Sequence, residues 1–169
     1  QLMEDEGVVF QCNTEIGKDL TLAELKESFD AVLLAIGSKA PRDIPAQGRG
    51  NDGVHYAMDF LTQNNKAVAG EHISAPSISA EGKTVLVIGG GDTGSDCIGT
   101  SLRQGAKRVI QATIEATPPV ERADTNPWPQ WPQTLKTSSS HEEGCERHWG
   151  LNAVEVVANA DGHVEAVVF

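Results

Sequence analysis

Gly89, Gly91 and Gly94 stand in the spacing G-x-G-x-x-G. A bend missing three side chains offers bare backbone, and bare backbone offers amide N–H groups that an anion can reach. Gly89 permits a tight turn, Gly91 lets a pyrophosphate approach the main chain, and Gly94 lets a following helix pack close. A helix starting here adds unpaired N–H donors and a positive dipole end. Gly90, Asp92 and Thr93 complete the bend. Asp92 is either a helix cap or a carboxylate that repels phosphate; Thr93 either bonds a phosphate or caps the turn. S-adenosylmethionine is the rival ligand for such a bend, and a glycine-rich turn with no ligand is the plain alternative.

The surrounding residues supply the elements that such a bend needs. Thr84 to Ile88 reads as a buried strand, and Ser95 to Gln104 reads as a helix with Ile98 and Leu102 four apart, closed by Gly105. Arg108 to Ile114 is a second strand, so strand, turn, helix and strand fill about 30 residues, the size of a βαβ unit. A dinucleotide site also wants an acid about 20 residues past the turn to hold the ribose hydroxyls. Thr113 lies at that distance and Glu115 two residues later. Glu115 at the ribose favours NADH; Arg122 or Arg108 there favours the 2′-phosphate of NADPH. The choice stays open.

Other candidates carry less. His141 to His148 holds metal-ligand residue types in no zinc spacing, so a polar loop or helix end is expected and no metal. Cys97 reads as a small core residue. Trp128 and Trp131 either stack on an adenine or pack a proline-rich lid, and packing is the expectation. No Ser-His-Asp set or carboxylate pair stands out. A binding turn without an acid, base or nucleophile suits hydride transfer, where cofactors carry the chemistry.

Upstream, Val8 to Cys12 reads as a strand, Thr21 to Glu24 has capping-box spacing for a helix carrying Leu22, Leu25 and Phe29, and Ala31 to Ile36 reads as a strand covered on both faces. A connector rich in Pro and Gly follows, then a short helix over Tyr56 to Gln63. Residues 115 to 150 read as irregular; five of the eight prolines and all three tryptophans fall there. Asp161-Gly162 between two β-rich runs signals a hairpin. The expected fold is α/β: a Rossmann-like three-layer nucleotide-binding domain over 61–169 with an antiparallel hairpin, and a partial second domain over 1–60.

The net charge of −11 disfavours nonspecific binding to nucleic acid or an anionic membrane. No apolar run approaches the ~18 residues that span a bilayer. Three separated cysteines without C-x-x-C disfavour a disulfide framework or an internal iron–sulfur site and suit a cytoplasmic setting. The chain opens at Gln1 and closes in a strand-like run, so a piece of something larger is expected.

Longer runs carry a family resemblance. Gly89 to Cys97, Pro118 to Ala123, Asn126 to Pro132 and Ser138 to Cys145 resemble the small (beta) subunits of glutamate synthase. Ala35 to Ser38 with Pro41-Arg42, and Gly53 to Leu61, add to the match, which covers nearly the whole chain. The resemblance implies an FAD-dependent pyridine-nucleotide oxidoreductase whose NAD(P)H domain is inserted in its FAD domain. NAD(P)H reduces FAD in such enzymes, iron–sulfur clusters outside this segment pass electrons to the large subunit, and glutamate is formed reductively there. By resemblance, Gly89, Gly91 and Gly94 cradle the NAD(P)H pyrophosphate, while Ala35, Ile36, Gly37 and Ser38 form the crossover between FAD and NAD(P)H domains. The family's cysteine-rich region, its FAD glycine turn and its C-terminal FAD segment lie outside these residues, so the isolated segment is expected to be inactive. Thr113 stands where many relatives carry an acid. The alternatives are a related reductase module serving a different partner and a noncatalytic nucleotide-sensing module.

Overall fold

The computed structural model describes residues 1–38, 40–73 and 77–169. They form two compact units, Gln1–Ala40 and Pro41–Phe169. The first holds two short helices, α1 (Leu2–Asp5) and α2 (Leu22–Ser28). The capping box at α2 forms as expected: the Thr21 hydroxyl accepts from the Glu24 N–H, and the Glu24 carboxylate accepts from the Thr21 N–H at 2.8 Å. The expected strands do not form. Neither Val8 to Cys12 nor Ala31 to Ile36 joins a strand ladder among the described residues of this unit, and Val9, Leu33 and Ile36 are largely exposed. A strand exists only as part of a ladder, and the described unit supplies no neighbour for either run.

The second unit is α/β and Rossmann-like. Strands β1 (Thr84–Ile88), β2 (Arg108–Ala112) and β3 (Glu146–His148) make one parallel sheet in that order. Helix α4 (Asp92–Arg103) crosses from β1 to β2 and packs on both strands. It is flanked by α3 (Ala57–Val68) and by the single turn α5 (Ser139–Glu142). Strand side chains alternate between faces, so Val85, Val87 and Val109 turn toward α4. There they join Phe60, Ala80, Cys97 and Ile98 in the core. Gly105, with φ +86°, closes α4, and its N–H bonds the Leu102 carbonyl.

Several boundaries differ from the sequence reading: α4 starts at Asp92, three residues before Ser95, and β2 stops at Ala112, short of Ile114. Helix α3 runs five residues past Gln63, because Gln63 and Asn64 work inside it: the Gln63 side chain exchanges two hydrogen bonds with the Ile78 backbone, and Asn64 accepts from Gln104. Within the irregular stretch, Glu-Arg-His forms β3; a short charged segment carries no apolar signal, and its place comes from the β2 ladder. Residues 41–60, read with the N-terminal portion, make their contacts in the second unit. Gln47 bonds Val154 and Val156, and Asp52 bonds Gly162 and Val164, along the hairpin of β4 (Glu155–Ala158) and β5 (Val164–Val168). That hairpin is antiparallel, as its Asp-Gly turn indicates.

The tryptophan expectation also fails. Trp128 is 83% exposed and Trp131 75%. The loop is instead organised by buried Asn126, whose amide donates to Gln130 and to the Trp131 carbonyl and accepts from the Gln133 N–H. A short polar side chain can satisfy three backbone and side-chain partners at once; an indole has only one polar atom. Lys136 lies over the Trp131 ring at 4.0 Å.

Candidate functional site

Strands β1 and β2 end side by side, with Ile88 opposite Ala112. The chain leaves β1 at Gly89 with φ +123°, a conformation that side chains resist. The Gly89 N–H still donates to the Ala112 carbonyl at 2.9 Å. The next glycines, Gly90, Gly91 and Gly94, then do different things. A Cβ at Gly94 would lie 2.8 Å from the Gly89 carbonyl oxygen, so the missing side chain closes helix onto strand. A Cβ at Gly90 would lie 3.0 Å from the Thr113 hydroxyl. Gly91 has ordinary torsions, φ −83° and ψ −179°, and a Cβ there meets nothing within 4 Å. The space beside Gly91 is therefore open, and glycine there serves something other than protein packing.

Gly91 is the N-cap of α4, and no side chain caps this helix. Neither Asp92, the first helical residue, nor Thr93 makes a capping bond; both are exposed. The first-turn N–H groups, which have no partner inside a helix, are left at the mouth of the bend. The structure thus brings Gly89, Gly90, Gly91, Asp92, Thr93 and Gly94 into one backbone cradle at the positive end of a 12-residue helix.

Glu115 joins this cradle through one side chain. Buried Thr113, which abuts Gly90, donates its hydroxyl to the Glu115 carboxylate. That bond, then a backbone N–H, holds the carboxyl below its usual range. Arg122 is exposed in the loop, and no hydrogen bond or ion pair among the described residues ties it to the turn. Arg108 is at the wrong end of β2. It grips Glu146 with two bonds, Nε to Oε1 at 2.6 Å and Nη2 to Oε2 at 2.5 Å. Four residues of strand, at about 3.3 Å each, separate it from the turn. Ala35, Ile36, Gly37 and Ser38 lie exposed in the first unit.

The sequence reading overlooked the residues behind the turn. Gln111, on β2 and 2% exposed, donates from Nε2 to the Gly89 carbonyl at 3.0 Å. Its Oε1 accepts from His141 Nε2 at 3.1 Å and Arg147 Nε at 3.2 Å. The available signal was a lone amide inside an apolar strand run, since a polar side chain in a covered strand must find partners. His141, from the run with metal-ligand residue types, spends both ring nitrogens on Ser138 and Gln111. Cys97 sits in the core, and burial, then Asp96, pushes its thiol up to about 11. No helix of the described residues is long and apolar enough to cross a membrane.

A strand delivering a glycine cradle to an uncapped helix, with a second parallel strand alongside, is a dinucleotide-binding architecture. The family model for pyridine nucleotide-disulphide oxidoreductases matches residues 2–168, and the chain belongs to that family. Within it, the chain is 43% identical over 169 residues to the glutamate synthase [NADPH] small chain of Mycobacterium tuberculosis, covering 98% of this chain and 34% of that one. It is 41% identical to the corresponding small chain of Bacillus subtilis, covering 98% and 35%. It is also 42% identical to the glutamate synthase [NADH] of Saccharomyces cerevisiae, covering 98% of this chain and 8% of that enzyme. The chain thus spans about a third of the bacterial relatives' length.

Proposed function

We propose that this chain is the NAD(P)H-binding portion of a flavin-dependent oxidoreductase of the glutamate synthase small-chain type. The observation that carries the reading is the open space at Gly91 beside an uncapped helix end, framed by Gly90 and Gly94, whose space the protein fills itself. The cradle fits a pyrophosphate. Gly89 shapes the bend, the amides of Gly90 to Gly94 face the phosphates, and Glu115, oriented by Thr113, reaches toward the ribose. A bound nicotinamide supplies a hydride for FAD; the residues described here bind and orient it.

In this reading the exposed segment Ala35–Ser38 is the crossover from an FAD-binding portion, to which residues 1–40 belong. The far face of the sheet, where Leu86 and Ile110 are half-buried, takes a third layer. FAD, iron–sulfur clusters and a large-subunit partner forming glutamate are properties proposed for the whole enzyme, in a cytoplasmic setting. The similarity to the named small chains supports them.

The test is calorimetric titration with NADH and NADPH. Gly91→Val folds normally, because its torsions and surroundings accept a side chain, and it loses nucleotide binding. Unchanged affinity in the folded variant refutes the placement. Glu115→Ala shifts the preference toward NADPH, since a carboxylate at the ribose hydroxyls repels a 2′-phosphate. Arg122→Ala leaves the ratio where it was.

A further inference from the structure

We propose that Gln111 is the positioning residue of the glycine turn: its buried amide fixes the Gly89–Gly90 peptide in the orientation that presents the turn's N–H groups to a pyrophosphate. This rests on the nucleotide-binding reading above and adds a residue that does not itself touch the ligand.

The sense of the amide follows from donors that cannot be anything else. The Ser138 backbone N–H donates to His141 Nδ1 at 3.0 Å, so Nδ1 is the acceptor of that ring. A neutral imidazole with Nδ1 unprotonated carries its proton on Nε2, and Nε2 therefore donates to Gln111 Oε1 at 3.1 Å. Arg147 has only donors, and its Nε reaches the same oxygen at 3.2 Å. Two donors on Oε1 leave Nε2 of Gln111 to face the Gly89 carbonyl. A flipped amide would set its NH2 against the guanidinium and its oxygen against that carbonyl, which is repulsive at both ends.

The consequence reaches the turn through peptide geometry. In a planar trans peptide the C=O and the following N–H point in opposite directions. Holding the Gly89 carbonyl on buried Gln111 therefore turns the Gly90 N–H away from the protein interior. The same carbonyl is boxed in on its other side by Gly94, where a Cβ would come within 2.8 Å. Burial, then the Arg147 charge, holds the His141 ring below its ordinary value, which keeps the neutral tautomer that this chain of bonds requires. The network spans β2, α5 and β3, so the Gly89 peptide is braced from three elements.

The decisive experiment uses the full chain with Gln111→Glu. The carboxylate keeps an acceptor for His141 and gains attraction to Arg147, so the fold side of the network survives. On the other side it removes the donor to the Gly89 carbonyl. Dissociation constants for NADH and NADPH rise together, by about tenfold, the worth of one hydrogen bond at the upper end, and the melting temperature without nucleotide falls as well, because a carboxylate oxygen now faces the Gly89 carbonyl. The equal factor matters: the pyrophosphate is common to both nucleotides, and a merely structural role lowers melting without moving affinity. Should Gln111→Glu fail to fold, Gln111→Asn, too short to span Gly89 and its two donors, replaces it with the same expected loss. If affinities stay unchanged, or fall unequally, while Gly91→Val abolishes binding, the positioning role is wrong and the nucleotide reading stands. If Gly91→Val also binds normally, the reading itself has failed.

Discussion

Ala31–Ile36 and Thr84–Ile88 are both continuous apolar runs, and each ends on a glycine with positive φ, +65° at Gly37 and +123° at Gly89. Thr84–Ile88 pairs residue for residue with Arg108–Ala112 and is covered on one face by α4. Ala31–Ile36 has no ladder within its unit, and Leu33 is 90% exposed. The difference lies in what stands beside each run. A buried-type strand is a demand for neighbours on two edges and two faces. In the second unit β2 and α4 come from the next 24 residues; in the first, two short helices and an isolated Ile16–Leu20 bridge cannot supply them. The glycine then behaves differently too. Gly89 becomes a site because β1 and β2 hold its flanks and its N–H bonds the Ala112 carbonyl, whereas Gly37 follows a run that joins no ladder among the described residues.

The sharpest way to break that contrast is to charge the paired region. Val109→Asp, at a position 3% exposed between β1 and β3, buries an unpaired carboxylate and costs about 4 kcal/mol or more. Urea unfolding measures it, and a loss under 1 kcal/mol would mean that the sheet is not the stable centre. Next is Gly94→Ala, expected to cost about 1–3 kcal/mol because backbone meets the new Cβ. Gly91→Ala, three residues away and facing open space, stays within about 0.5 kcal/mol. Equal costs at the two glycines would remove the distinction between a packing glycine and a ligand glycine.

The local signals were readable and the nonlocal ones were not. β1, the bend, α4, β2 and the hairpin each announce themselves through periodicity, glycine placement and a turn dipeptide. β3 does not, because Glu146, Arg147 and His148 look like loop residues until β2 is beside them. The site divides the same way. The motif glycines follow from spacing, and Glu115 from its distance along the chain. Gln111, His141 and Arg147 converge from 36 residues of sequence, with no spacing rule to join them. Trp128 and Trp131 show that residue type alone does not decide burial: both are exposed, while Asn126 takes the organising role through hydrogen bonds.

The pH response sharpens the same contrast, since only the second unit buries a histidine. His141 faces Arg147 from β3, and its neighbour Glu143 is paired with Arg103 of α4. Its folded value lies below the ordinary 6.5, with burial the larger cause and Arg147 the second. The unfolded chain therefore binds the proton more readily. Stability is fully present above about pH 6.5 and declines as pH falls through that value toward the lower folded one. Melting scans between pH 7.5 and 5.5 (roughly one pH unit either side of an ordinary histidine) should show that decline, and His141→Gln should flatten it. A decline of the same slope in the variant would place its origin in another group.

The smallest effect is expected in the unpaired run, and its smallness is what makes it informative. Leu33→Asp in the 169-residue chain should change the unfolding free energy by less than about 0.5 kcal/mol, because an exposed side chain loses no burial and a new carboxylate there stays in water. The same substitution type at Val109 is expected to be severalfold larger, although valine is the smaller side chain. Residue hydrophobicity alone would order the two sites the other way, since leucine has more apolar surface to lose. A Leu33→Asp cost above 1 kcal/mol would show that the run is covered in the folded chain and that a partner for it exists within these residues. A negligible cost here, together with a large one in the full-length enzyme, would show that its neighbours are supplied by the FAD-binding portion proposed above.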